Sequence, residues 1–195
     1  MILSERLELR ELTVVDAPFI LELLNDGDFH RYIGDRGVRT LADAENYIQQ
    51  GPVVSYARHG HGLYLVVRRE DGARLGICGL IKRDTLPCED IGYAFLPAWR
   101  GQGYAFLPAW RGQGYAFLPA WRGQGYAIEA ARAAMADGRE RLGIERVVAI
   151  VTPGNERSVR LLAKLGLSQG KRVRLGAGEE ECLLLEAPDK ETCRV

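Results

Sequence analysis

The sequence predicts an α/β fold, a mixed sheet sandwiched between helices. Three observations carry that expectation. Short alternating or continuous apolar runs recur at Leu3–Arg10, Leu63–Arg69, Leu75–Lys82, Ile91–Leu96 and Arg146–Val151, and these read as strands. Helix-like segments stand between them, the longest being the Ala-rich stretch from Gly125 to about Arg141. The two kinds follow one another as β, α, α, β, β, β, α, β, α, β, β, an order that places helices on the faces of a mixed sheet.

Each element has a local reason. Leu3–Arg10 alternates as a first strand. Thr13 opens a first helix, with Asp16 three residues on as a capping partner and Pro18 in the first turn. Its apolar face is Phe19, Ile20, Leu23 and Leu24. Thr40 and Asp43 cap a second helix that runs to Gln50, where Gly51 stops it. Glu70-Asp71-Gly72 reads as the hairpin turn joining the second and third strands. Asn155 caps a helix to Leu165, with Gly166 as its C-terminal stop. Two last strands, near Lys171–Leu175 and Glu181–Leu185, close the chain, and the tail 187–195 is expected to fray.

Composition excludes several function classes. The chain has 195 residues, 47% of them hydrophobic, and can bury one core without staples. Its formal net charge is zero, which argues against a nucleic-acid clamp or a polybasic membrane binder. The N-terminus, MILSERLELREL, has no long apolar run, so no signal peptide or membrane span is expected there. Cys78, Cys88, Cys182 and Cys193 form no C-x-x-C pair and have no His cluster beside them. Free thiols in a reducing cytoplasm are the expectation, with no metal.

An internal repeat interrupts this pattern. Tyr93–Gly103 reads YAFLPAWRGQG, and Tyr104–Gly114 and Tyr115–Gly125 repeat it without change. Tyr126-Ala127 begins a fourth copy that breaks off into IEAARAAMADGRERLG. Three short identical units without capping variants do not read as a solenoid. Pro97, Pro108 and Pro119 exclude a right-handed coiled coil of the same period. A recent or engineered duplication of one functional segment over 93–125 is the simplest account.

The chemistry concentrates in Arg122-Gly123-Gln124-Gly125-Tyr126-Ala127, between a strand-like stretch and a helix. Glycines allow a sharp turn and close backbone approach. The N–H groups of the first helical turn, with the positive dipole end behind them, then make a phosphate or pyrophosphate cradle. A Gly-rich turn that merely starts a helix is the bland alternative. The segment is neither a P-loop nor a dinucleotide fingerprint, because it lacks the Lys-Ser/Thr pair of the one and the third glycine of the other.

The R-x-x-G-x-A spacing of Arg122, Gly125 and Ala127 resembles the coenzyme A pyrophosphate loop of the GCN5-related N-acetyltransferase (GNAT) superfamily. Downstream, Pro153–Ser158 followed by Leu161–Leu167 is similar to that superfamily's N-x-x-S…K-x-G-F signature, with Ala163 and Leu167 as departures that look like packing differences. The opening SERLELREL and the helix GYAIEAARA look like the branch that acetylates ribosomal-protein N-termini (the RimJ/RimL type) and its small-molecule relatives.

The resemblance implies a single acyltransferase domain over 1–195, built on a mostly antiparallel twisted sheet flanked by helices, with splayed central strands. It implies acetyl-CoA as co-substrate and direct transfer to a primary amine, either a protein N-terminus or a small molecule. Peptides, polyamines and aminoglycoside-like amines all remain acceptors; no nucleic acid or membrane partner is implied. An acyl-CoA-binding module of this fold, catalytically impaired, is the alternative. Phe95 and Leu96 are implied to hold the pantetheine arm through strand backbone, near an N–H for the oxyanion. Asn155 is implied beside the same arm, and Ser158 matches the position that protonates the departing thiolate. Glu89 and Asp90 are candidate bases on the acceptor side, Asp90 first. His59, His61 and Glu179-Glu180-Glu181 stand behind them, and His59-Gly60-His61 reads as a surface loop. Tyr32 and Gly34–Val38 are expected to wall the acceptor site.

Three repeat copies compete for one strand and one loop. Copy one should supply the strand, because Asp90-Ile91-Gly92 leads into it, and copy three the loop, because only it continues into the helix. Surplus residues near Ala98–Pro119 would then be extruded beside the coenzyme site. Their exposed Trp and Phe residues would invite self-association or folding back onto the domain, with reduced activity.

Overall fold

The computed structural model describes residues 1–97, 125–174 and 181–188. Eight strands, numbered in chain order, form one sheet: β1 (Ile2–Leu3), β2 (Leu7–Arg10), β3 (Leu63–Arg68), β4 (Arg74–Ile81), β5 (Glu89–Phe95), β6 (Val147–Val151), β7 (Gln169–Val173) and β8 (Cys182–Glu186). Their spatial order is β1-β2-β3-β4-β5-β6-β8-β7, and every neighbouring pair is antiparallel except β5 with β6. Six α-helices accompany the sheet among the described residues: α1 (Ala17–Leu24), α2 (Gly27–Tyr32), α3 (Leu41–Ile48), α4 (Val54–His59), α5 (Tyr126–Leu142) and α6 (Glu156–Lys164). The expected mixed sheet flanked by helices is therefore what the chain adopts.

Alternation along the strands divides the core into two layers. On one face Leu7, Leu9, Tyr64, Val66, Cys78, Leu80, Ile91 and Phe95 pack against Ala130, Ala131 and Ala134 of α5 and Leu162 of α6. On the other, Leu65 and Ile77 pack against Phe19, Ile20, Leu23 and Leu24 of α1 and Ala44 and Ile48 of α3. The small residues of α5 let the helix lie close to the sheet. Gly138 is the tightest point, where an added Cβ would stand 2.3 Å from a Leu80 methyl. A third, smaller cluster joins Leu86 and Cys88, from the connection before β5, to Val148 and Leu184.

Most expected elements are present, with bounds shifted by a residue or two. The hairpin turn closes through Gly72, at φ +72°, whose N–H donates to the Arg68 carbonyl at 2.9 Å. Three expectations need correction. Leu3–Arg10 is not one strand, because the chain turns at Ser4–Arg6 and β1 folds back antiparallel on β2. The turn is pinned from outside by Glu129, which accepts from the Ser4 hydroxyl at 2.8 Å and the Arg6 N–H at 2.9 Å. Gly51 does not stop the second helix. A π-helical turn over Gln49–Val53 absorbs Gly51 and buries Pro52, and the helix runs on as α4 until Gly60 ends it at φ +72°. A widened turn tolerates the missing proline N–H. Finally, β5 begins at Glu89, so Asp90 lies within a strand rather than before one. No helix among the described residues is long and apolar enough to cross a membrane.

Candidate active site

The central feature is a parting of strands. Glu89 pairs with Val147 and Asp90 with Val148, after which β5 and β6 diverge. Strand β5 continues to Phe95 against β4, while Ala149–Val151 pair with β8. The N–H of Leu96 donates to the Leu75 carbonyl at 2.9 Å. Along a strand peptide groups alternate between neighbours, so Gly92 and Ala94 also address β4. Tyr93 and Phe95 therefore present their backbone toward the side that β6 has left. Phe95 is the last residue of β5 and is buried in the α5 layer of the core. The Leu96 amide, by contrast, is committed to the sheet, and Leu96 contributes its half-buried side chain to the α1/α3 layer.

Helix α5 starts over the β1–β2 turn and the end of β3. Its cap, Gly125, sits at φ +71°, in the left-handed region that glycine enters at no steric cost. Tyr126 is buried beneath the Arg6 guanidinium, 4.7 Å from the ring centre, and its hydroxyl accepts from Arg68 at 3.3 Å. Ala127 packs against the core. Glu129 fastens this helix start to the β1–β2 turn. Besides its bonds to Ser4 and the Arg6 amide, it accepts from Arg6 Nε at 2.8 Å and Nη2 at 2.5 Å. Burial opposes ionisation of Glu129, but these donors outweigh it and hold its carboxyl below the usual range. A cleft of about 360 Å³ adjoins the helix start, lined by Glu5, Arg6, Arg68, Arg69, Glu70 and Tyr126. Its guanidiniums are engaged with Glu129, Asp71 and the Ser4 and Glu5 carbonyls. Arg122, Gly123 and Gln124, expected to complete the loop, lie outside the described residues, as do the surplus segment 98–119, Glu179-Glu180 and most of the tail 187–195. Of the repeat, β5 contains Tyr93-Ala94-Phe95 from copy one, and Gly125 is the last residue of copy three.

Helix α6 supplies the polar groups of the opposite wall. Asn155 caps it, its Oδ1 accepting from the Ser158 N–H at 3.2 Å, which fixes Ser158 in the first turn. The Tyr93 hydroxyl, on the α5/α6 face of β5, points toward the Ser158 hydroxyl without a hydrogen bond of good geometry. Burial pushes its pKa up to about 12, the Ser158 hydroxyl pulling the other way. Sequence reasoning missed Tyr93 as a site residue.

The other face of the opening carries Asp90. It is 2% exposed, and Arg83 grips it with Nε at 2.8 Å and Nη2 at 3.4 Å. Burial raises its pKa, and the Arg83 ion pair recovers only part of that shift. Glu89, one residue earlier, belongs to the opposite face. It stands 3.7 Å from Lys82 Nζ and 4.0 Å from His61 Nε2. Adjacent strand residues cannot share a face, so the two candidate bases are separated. His61 is not on a surface loop, since it is 4% exposed with Nδ1 3.0 Å from the Leu80 carbonyl; His59 is exposed. Tyr32 is tied to the end of β6, its carbonyl accepting from Thr152 Oγ1 at 2.7 Å. The loop after it is held by Asn25, which donates to the Val38 carbonyl at 2.9 Å, and by an Asp35–Arg39 ion pair that brings the Asp35 pKa down to about 2. Cys78 and Cys88 are free thiols, and Cys193 lies outside the described residues.

A family model described as an acetyltransferase (GNAT) domain matches residues 6–111 and 106–168. The chain belongs to the GNAT acetyltransferase family. Solved structures agree with this GNAT assignment at the level of fold. An acetyltransferase of the same family from Bacillus anthracis is 22% identical with a TM-score of 0.68, covering 95% of each chain. A ribosomal-protein-S5-alanine acetyltransferase from Vibrio fischeri is 17% identical with a TM-score of 0.62, covering 97% of this chain and 96% of its own. RimL, a ribosomal L7/L12 α-N-protein acetyltransferase solved with coenzyme A, is 15% identical with a TM-score of 0.66, covering 94% of each. No curated protein matches this GNAT sequence significantly.

Proposed function

We propose that this GNAT domain transfers an acetyl group from acetyl-CoA to a primary amine, by direct attack of the amine on the thioester. The observation that carries the reading is the parting of β5 from β6. A gap that turns strand backbone toward an elongated arm fits pantetheine, and a glycine-capped helix N-terminus fits a diphosphate. Tyr93 and Phe95 backbone would hold the arm, with Asn155 beside it. Arg122, Gly123, Gln124, Gly125, Tyr126 and Ala127 would hold the diphosphate. Bound acetyl-CoA supplies the activated acyl group, and the chain's own residues position it and handle protons. Ser158 offers a hydroxyl proton on the coenzyme side. Asp90 offers a carboxylate on the acceptor side, its raised pKa making it a better proton acceptor than an exposed aspartate, with Arg83 as the partner it must partly release.

Ribosomal-protein acetyltransferases among the structural relatives support a RimJ/RimL-type reading, with a protein N-terminus as the first acceptor to try and small amines next. The family model's two matches overlap inside the second repeat copy, which supports treating the middle of the repeat as surplus. A cytoplasmic enzyme whose surplus aromatic segment favours self-association completes the proposal. The test is a CoA-release screen over peptides and small amines, run on the chain and on a variant lacking Tyr104–Gly125. Amine-dependent release, faster in the shortened chain, is the expected result. Release with no amine in either form overturns the reading.

A further inference from the structure

We infer that Tyr93 is a positioning residue of the transfer reaction, whose hydroxyl orients the Ser158 hydroxyl toward the thiol sulfur of bound coenzyme. The inference rests on the function proposed above. Its starting point is an expense the resting molecule bears without return. The Tyr93 oxygen is buried and lacks a hydrogen-bond partner. An orphaned buried hydroxyl is destabilising, and phenylalanine would fill the same volume without that cost. The neighbouring core positions on this face, Ile91 and Phe95, are apolar, so packing alone does not require the phenol.

What the hydroxyl faces is specific. Ser158 is the polar side chain before it, and Ser158 is itself pinned through its N–H by the Asn155 cap. The Ser158 side chain can turn about one bond only. A serine oxygen that accepts from Tyr93 must aim its own hydrogen elsewhere, and the open direction is the gap between β5 and β6. The Tyr93 hydroxyl thus donates to Ser158 Oγ, and Ser158 donates into the gap where the sulfur lies. The high pKa of the phenol keeps it a donor throughout the working pH range.

The test compares the full-length chain with Tyr93→Phe, Ser158→Ala and the double variant, by thermal melting with and without saturating coenzyme A and by steady-state CoA release. Tyr93→Phe is expected to melt at the same temperature as the parent or higher without ligand. Coenzyme A should raise its melting temperature by about 2–4 °C less than the parent's, the effect of one hydrogen bond in a chain of this length. Its kcat should fall about tenfold with KM for acetyl-CoA within twofold, and it should add nothing in the Ser158→Ala background. A lower melting temperature without ligand, or an unchanged kcat, overturns the inference. If no amine supports turnover, the transfer reading fails by itself. The smaller coenzyme-induced shift then still supports the Tyr93–Ser158 pairing, and equal shifts overturn it.

Discussion

Glu129→Gln isolates what holds the start of α5 to the β1–β2 turn. The parent carboxylate accepts four hydrogen bonds, two of them from the Arg6 guanidinium. Glutamine keeps the volume and one acceptor oxygen, which can still serve Ser4 or the Arg6 amide. Its NH2 group, however, is turned against a guanidinium. Two charge-assisted bonds are lost, about 3 kcal/mol or more if fully buried. Arg6 is 41% exposed and Glu129 17%, so solvent screening reduces this to about 1–2 kcal/mol. Loss of a negative charge in the first helical turn adds a few tenths of a kcal/mol. At roughly 2–4 °C per kcal/mol for a chain of this size, melting should fall by roughly 3–9 °C at pH 7. The pH dependence follows from the depressed pKa. A carboxyl whose folded pKa lies below its unfolded value contributes stability that is complete above the unfolded value and is lost as pH falls through the folded one. The difference between parent and variant should therefore close below the ordinary glutamate range, and it should shrink with salt. Melting curves at pH 7, 4 and 3 measure it. A gap of unchanged size at pH 3 would mean that packing rather than charge holds the junction, and no gap at pH 7 would mean that the clamp is decorative.

Two further substitutions probe the site and its scaffold. Asp90 is raised in pKa by burial, so the fold disfavours its ionised form, a contribution fully present below the unfolded pKa and lost as pH rises through the folded one. Asp90→Asn should leave the melting temperature at pH 7 unchanged or higher while lowering kcat at least a hundredfold; a clear drop in melting temperature with normal kcat would assign the Arg83 pair a purely structural role. Gly79→Ala would set a Cβ 1.9 Å from the Gly62 carbonyl oxygen, a backbone atom that cannot swing aside, so several kcal/mol of stability should be lost; a denaturation midpoint within error of the parent's would refute the close approach of β3 and β4.

Elements with a strong period were legible because burial enforces the period. VVAIV at β6 and the Ala-rich α5 lie where their patterns put them. The misses share a different cause. The six residues of α2, Gly27–Tyr32, bury only Phe29, too little for an apolar stripe, and its clearest signal was the Asp26 cap, which accepts from the Asp28 and Phe29 N–H groups. Continuation across Gly51-Pro52 depended on tertiary burial of Pro52, which overrides two local stop signals. The Ser4–Arg6 turn depended on Glu129, more than 120 residues away. The site divides in the same way. Gly125, Asn155 and Ser158 sit at helix caps, whose chemistry is local and therefore readable. The facing of Asp90 and Glu89 required the strand's true start, and the Tyr93 hydroxyl required knowledge of which helix covers which face.

The gap itself follows from competing attachments on its two sides. Strand β5 is drawn to β4, where Gly76 removes the side chain that would hold the backbones apart. At Gly76 a Cβ would meet the Ala94 carbonyl at 2.1 Å. Strand β6 is drawn the other way, by three residue pairs to β8 and by the Thr152–Tyr32 bond at its end. Only two residue pairs oppose the divergence, and parallel pairs are the weaker kind. Closing the gap would require β6 to give up antiparallel pairing to gain parallel pairing, and would require Thr152 to leave Tyr32. The opening is thus a property of the relaxed fold, present before any ligand arrives, so binding in it need not spend free energy on prying strands apart.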